Sequence, residues 1–238
     1  MSTRAVDGRA PVVAPAPVPV AAAAVPVAPA DASRLLLTRH AQTVWHAENR
    51  YAGHGSDIDL SDTGRRQVDA LAAWAGLRSP DGVVCSPVRR AVETARPCAE
   101  ASGRALQVVD DLREVDFGIA EGHTLAELRT MDAEMVDRFS DDPARYPFPG
   151  AEPPAAAAER CAAALREMAG AHLGHTVLVI AHNTVLRLGL CALLGLPVGR
   201  YRQLFPRLDN AAVTEISVPR DRSSPASLLT LNSPIASS

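Results

Sequence analysis

Apolar positions in this chain fall into six short runs: Arg34–Thr38, Gly82–Cys85, Leu106–Val109, Thr176–Ile180, Ala211–Val218 and about Ser227–Leu231. Each has strand length. Leu35-Leu36-Leu37 and Val177-Leu178-Val179-Ile180 are unbroken by polar residues, which predicts strands buried on both faces. The intervening segments carry the helical period instead. Ser61-Asp62 caps a helix through Gln67, Leu71 and Trp74. Pro87 opens a second, with Val88, Ala91, Val92 and Ala95 on one face. Glu152 to His172 is Ala-rich and amphipathic, and Thr184 to Leu194 is so apolar that it should be buried. Strands alternating with helices predict a mostly parallel sheet covered on both sides.

Two segments depart from this rhythm. Residues 1–33 hold six prolines between Pro11 and Pro29 among Ala and Val. That density forbids a helix, so the stretch reads as a disordered or polyproline-II leader, not a membrane span. Ala28-Pro29-Ala30 leaves a cleaved secretion signal as a minor alternative. Residues 118–150 mix Met131, Met135, Phe139, Tyr146 and Phe148 with three prolines, and read as an insertion over one end of the sheet, a candidate lid. Residues 219–238 read as a last strand and a flexible tail.

Composition narrows the field. A chain of 238 residues, 47% hydrophobic and 21% charged, fits a globular domain. A net charge of −3 gives no reason to expect nucleic acid or an anionic membrane as partner. All 24 basic residues are Arg, which removes a P-loop lysine, a Schiff base and a Lys general base. Cys85, Cys98, Cys161 and Cys191 form no C-x-x-C pair and read as reduced, buried thiols of a cytoplasmic protein.

Chemistry gathers where the apolar runs end. Leu35-Leu36-Leu37-Thr38 runs into Arg39-His40, at the strand mouth where open α/β sheets bind ligands. Val83-Val84-Cys85 runs into Ser86-Pro87-Val88-Arg89-Arg90. Arg89, near a helix start, is the anion-binding candidate, and Arg90 reads as a surface residue. Val177–Ala181 runs into His182-Asn183-Thr184, and Leu112-Arg113-Glu114-Val115-Asp116 sets a carboxylate in apolar surroundings. Asp116 competes with Glu114 for that role.

Two His, two Arg and one Glu at the ends of different elements suit phosphoryl transfer through a phosphohistidine. His40 would attack phosphorus in line, kept neutral by the neighbouring guanidinium groups. Arg39, Arg89 and His182 would hold the equatorial oxygens. Glu114 would protonate the leaving oxygen and then activate water. Other chemistries fail on specifics. Cys85 to Arg89 lacks the five-residue gap of a cysteine phosphatase, and Asp57-Ile58-Asp59-Leu60-Ser61 has no apolar strand before it. Zinc at His40, His46 and His182 is disfavoured by the adjacent arginines.

Four segments carry a resemblance: Arg39-His40-Ala41-Gln42-Thr43, Ser86-Pro87-Val88-Arg89-Arg90-Ala91, Leu112 to Gly122, and Ala181-His182-Asn183-Thr184. In order and spacing they are similar to the signatures of the histidine phosphatase superfamily, also called phosphoglycerate mutase-like. The resemblance covers about residues 34–218. It implies a three-layer α/β/α sandwich with a small lid, no metal or cofactor, and the roles just given. It also implies that Asn49, Arg50 and Gly53, in the loop after the first motif, shape the substrate site. Ala41 replaces a frequent Gly, His46 stands where many members carry a phosphate-touching Asn, and Asn183 replaces a common Gly; His46 and Asn183 are therefore substrate-binding candidates. Mutases of the family carry a longer insertion between the acid and the second His than the 68 positions from Glu114 to His182. The expectation is a phosphatase acting on a small phosphorylated metabolite, a sugar phosphate or nucleoside-like phosphate such as α-ribazole phosphate, with a homodimer allowed. Phosphoglycerate mutase-type transfer is the alternative, and a non-catalytic phosphate-binding pseudophosphatase ranks below it.

Overall fold

The computed structural model describes residues 29–235, apart from the side chain of Ala47. Most of the proline-rich leader, residues 1–28, lies outside the described residues, as do 236–238. The elements run β1 (Ala32–Arg39), α1 (Val44–Glu48), α2 (Asp62–Arg78), β2 (Gly82–Cys85), α3 (Arg89–Ala101), β3 (Leu106–Val108), α4 (Leu125–Met131), α5 (Ala133–Asp141), α6 (Pro154–Ala171), β4 (Thr176–Ala181), α7 (Asn183–Leu194), α8 (Tyr201–Leu204), β5 (Val213–Pro219) and β6 (Ser227–Ser233).

The strands form one sheet in the order β3-β2-β4-β1-β5-β6. β3, β2, β4 and β1 are mutually parallel, and β5 runs antiparallel to both β1 and β6. Alternation along β1 explains the three layers, because successive side chains point to opposite faces. Leu35 and Leu37 join one core with α6 and α7, while Leu36 joins the other with α2 and α3. Both faces are buried, which is why the run carries no polar residue.

Register brings the strand ends together. Arg39 stands opposite Ala181, and Cys85 opposite Ile180. The His40 N–H donates to the Ala181 carbonyl at 2.9 Å, and the Ser86 N–H to the Ile180 carbonyl at 3.0 Å. His40, Ser86 and His182 therefore leave neighbouring strands at one carboxyl-terminal edge, the place where such sheets hold ligands. Ser61 caps α2, its hydroxyl accepting from the Gly64 N–H at 3.0 Å. A Cβ on Gly64 would lie 2.0 Å from the Gln42 carbonyl oxygen, so only glycine lets α2 seat against the loop that follows His40.

Residues 118–150, the segment read from sequence as an insertion, hold α4 and α5. Leu128, Val136, Phe139 and Phe148 belong to the same core cluster as Leu35 and Leu37. Phe139 and Phe148 stack at 4.0 Å, and Tyr51 meets both edge-on. Among the described residues no helix is long and apolar enough to cross a membrane. The four cysteines are buried and free.

Candidate active site

His40 is 3% exposed at the end of β1. Its Nδ1–H donates to the Ala41 carbonyl at 2.7 Å. That bond puts the imidazole proton on Nδ1 and leaves a lone pair on Nε2. Burial first, then the charges of His182, Arg90 and Arg39, hold its pKa well below the usual histidine value, so the ring is neutral near pH 7. The strand end is also pinned from behind, where Asn210 Nδ2 donates to the His40 carbonyl at 2.7 Å.

The guanidinium beside Nε2 belongs to Arg90, which corrects the sequence expectation for Arg89. Arg90 is 1% exposed and its Nε donates to His40 Nε2 at 3.2 Å. Its Nη atoms donate to the carbonyls of Ser56, Ala52 and Gly53 at 2.9 to 3.1 Å. Arg89 is 44% exposed and pairs with Asp57 and Asp59 outside the site. The cause is helix phase. α3 starts at Arg89, with Val88 as its cap, and its buried face is Arg90, Ala91, Thr94, Ala95 and Cys98. The inward stripe is thus rotated from the Val88–Ala91–Val92–Ala95 face read from the sequence, and adjacent residues about 100° apart exchange places.

His182 is fully buried, its ring centroid 5.0 Å from that of His40. Ser86 Oγ accepts the Val88 N–H at 3.2 Å and lies 2.7 Å from His182 Nε2. Where the Ser86 hydroxyl donates to Nε2, the ring proton sits on Nδ1. Nδ1 is buried with no partner, a donor awaiting an acceptor. Burial and the nearby arginines depress the His182 pKa as well.

Glu114 sits where α7 begins. Its Oε1 accepts the Val115 and Val185 N–H groups at 3.0 and 2.8 Å, and its Oε2 accepts the Thr184 N–H at 3.0 Å. Burial raises its pKa, against the lowering by these three bonds and by Arg90. Asp116, the competing carboxylate, instead accepts the Gly118 N–H at 2.8 Å and does not line the cavity. Arg39 donates from one Nη to the Leu208 carbonyl at 3.0 Å and touches His46 Nε2 with the other, while its Nε is buried and unpartnered. Burial lowers its pKa to about 10, so it remains a cation at neutral pH.

A cavity of about 310 Å³ opens here; of the residues expected from sequence, Arg39, His40, His46, Asn49, Arg50, Glu114 and Asn183 line it, and His182 and Arg89 do not. Gly53 is not on its wall. It acts through Arg90, holding it by a carbonyl, and a Cβ there would collide with Glu121 and the Val115 carbonyl.

A family model described as histidine phosphatase superfamily (branch 1) matches residues 35–230. The chain belongs to that superfamily. It is 31% identical over 189 residues to "Phosphoserine phosphatase 1" of Hydrogenobacter thermophilus, covering 79% of this chain and 88% of that one. It is 33% identical over 175 residues to a glucosyl-3-phosphoglycerate phosphatase of Mycolicibacterium vanbaalenii, covering 71% and 77%. The solved mycobacterial glucosyl-3-phosphoglycerate phosphatase superposes with a TM-score of 0.76 at 30% identity, over 85% of this chain and 99% of that one.

Among the cavity residues that sequence reasoning missed are Tyr51, Arg187, Tyr201 and Arg202. Arg187 carried a readable signal, as the single charge in the apolar segment Thr184–Leu194. The other three lie in loops and a short helix whose direction no periodicity reports.

Proposed function

We propose that this histidine phosphatase family member hydrolyses a small phosphate monoester through a phosphohistidine at His40, with Arg90, not Arg89, as the second guanidinium. The observation that carries this reading is the pair of contacts at His40: Nδ1 against a carbonyl, which fixes the tautomer, and Nε2, with its lone pair, accepting from the Arg90 guanidinium. In the first step the Nε2 lone pair attacks phosphorus while the phosphorus–oxygen ester bond breaks. Arg90 Nε–H turns from the imidazole to a phosphoryl oxygen, and Arg39 and His182 Nδ1–H supply the other donors. The leaving oxygen takes the proton from Glu114, whose Oε2 accepts only one backbone bond and so keeps a free position for it. In the second step water attacks the phosphohistidine, Glu114 takes the water proton, and the phosphorus–nitrogen bond returns its electrons to Nε2. His46, which burial holds at a pKa of about 3, stays neutral, its Nδ1 accepting the Thr43 N–H at 2.9 Å.

The names of the relatives, phosphoserine and glucosyl-3-phosphoglycerate phosphatase, support hydrolysis of a metabolite ester. The test is turnover of p-nitrophenyl phosphate in EDTA, followed by a panel of phosphorylated metabolites, with acid-labile phosphate trapped at position 40. Interconversion of 2- and 3-phosphoglycerate without phosphate release would replace hydrolysis by mutase transfer. Tight phosphate binding without turnover would make the chain a binding protein.

A further inference from the structure

The cavity holds more positive charge than a phosphate cup uses. Arg39, Arg50, Arg187 and Arg202 line it, and Glu114 is the single carboxylate on its wall. Arg39 belongs to the cup. Arg50 is neutralised by Glu48 and Glu127 at 2.6 and 2.8 Å. Arg187 and Arg202 are different: among the described residues neither is paired with a carboxylate.

Arg187 is 7% exposed. Its Nε donates to the Phe205 carbonyl, and its guanidinium carbon lies 5.5 Å from the Tyr201 ring centroid. These contacts fix the head group and leave its Nη atoms for the cavity. Arg202 lies over the Phe139 ring at 5.3 Å, and the neighbouring Tyr51 and Tyr201 side chains favour its charge. The two cations are close enough to repel each other, and Arg187 also repels Arg39. Burying a cation without a counter-charge and beside another is costly for stability. Glu114 attracts Arg187 but forms no ion pair with it, its oxygens being taken by backbone N–H groups. A dedicated pair of donors held by aromatic rings, with no anion of its own, is what a ligand anion would complete.

We propose that Arg187 and Arg202 form a second anion subsite, on the α7–α8 wall of the cavity, for a carboxylate or second phosphate on the part of the substrate that is not transferred. The inference rests on the phosphatase reading for the word substrate, and its test separates the two. Turnover of p-nitrophenyl phosphate by the wild type reports on the phosphatase reading alone. The subsite is read by equilibrium binding to the full chain carrying His40→Ala, which does not require turnover. The probes are 3-phosphoglycerate, fructose 1,6-bisphosphate and glycerol 3-phosphate, the last having no second anion.

The expected result is that one of the first two binds at least about tenfold tighter than glycerol 3-phosphate, and which one does identifies carboxylate or phosphate. Arg202→Gln, an exposed position that should not disturb folding, should reduce that preference to about threefold or less. Arg187→Gln should do the same where thermal unfolding shows the fold intact. Equal binding of all three probes overturns the proposal, as does a preference that survives Arg202→Gln.

Discussion

The floor and the wall of the cavity are built on different principles. At the floor, His40 and Glu114, with Arg90 and His182 packed beside His40, are buried, and backbone or strand-end groups fix nearly every polar atom. On the wall, Arg187 and Arg202 lean on aromatic rings and keep no anionic partner. The floor is preorganised for a developing charge, so its contacts exist before substrate arrives. The wall is incomplete without something to bind. Chemistry common to a superfamily belongs on the first kind of surface, and discrimination among substrates on the second.

The hardest blow to the floor is His40→Ala. Turnover of p-nitrophenyl phosphate should fall by at least about a thousandfold, with no acid-labile phosphoenzyme, because the attacking nitrogen is gone. Activity retained in that variant would erase the distinction between floor and wall.

The two adjacent arginines give the next test. Arg90→Ala removes the donor at His40 Nε2 and the anchor of the Ala52–Gly53 loop, and kcat/KM should drop about 100- to 1000-fold. Arg89→Ala loses only exposed ion pairs and should stay within about twofold. The reverse outcome would return the catalytic role to Arg89.

These arginines also mark the limit of what the chain discloses on reading. Strand ends are legible because an unbroken apolar run must stop where the sheet stops, and His40 and His182 follow such stops directly. Glu114 was legible as a carboxylate among apolar neighbours, although its cradle of Thr184 and Val185 N–H groups is seventy positions away. Choosing between Arg89 and Arg90 needs the helix phase to better than one residue, and Pro87 set the helix start two residues early. The wall was the least legible part. Its arginines point where the packing of α7 against α8 sends them, and no local period encodes that.

Glu114→Gln probes the floor more gently. With an alkyl phosphate, whose leaving group needs a proton, kcat should fall about 100-fold, and much less with p-nitrophenyl phosphate. The pH profile carries the sign. Burial raises the Glu114 pKa, so the acid form persists above the ordinary carboxylate range, and alkyl-ester turnover should decline as pH rises through the raised value. The variant should lack that alkaline decline. Equal slowing of both esters would remove Glu114 as the acid.

The smallest effect concerns stability and lies between floor and wall, at His46. Its pKa is about 3 in the folded protein and near 6.5 when exposed, with burial the largest cause and Arg39 next. The unfolded chain therefore binds a proton there that the native state refuses. The stabilisation is fully present above pH 6.5 and is lost as pH falls from 6.5 toward 3. His40 and His182 act in the same direction. Urea unfolding followed from pH 8 to pH 5 should show stability decreasing on acidification. In His46→Asn the slope should be shallower, by about one fewer proton taken up per molecule unfolded. An unchanged slope would mean that His46 is already charged in the native state.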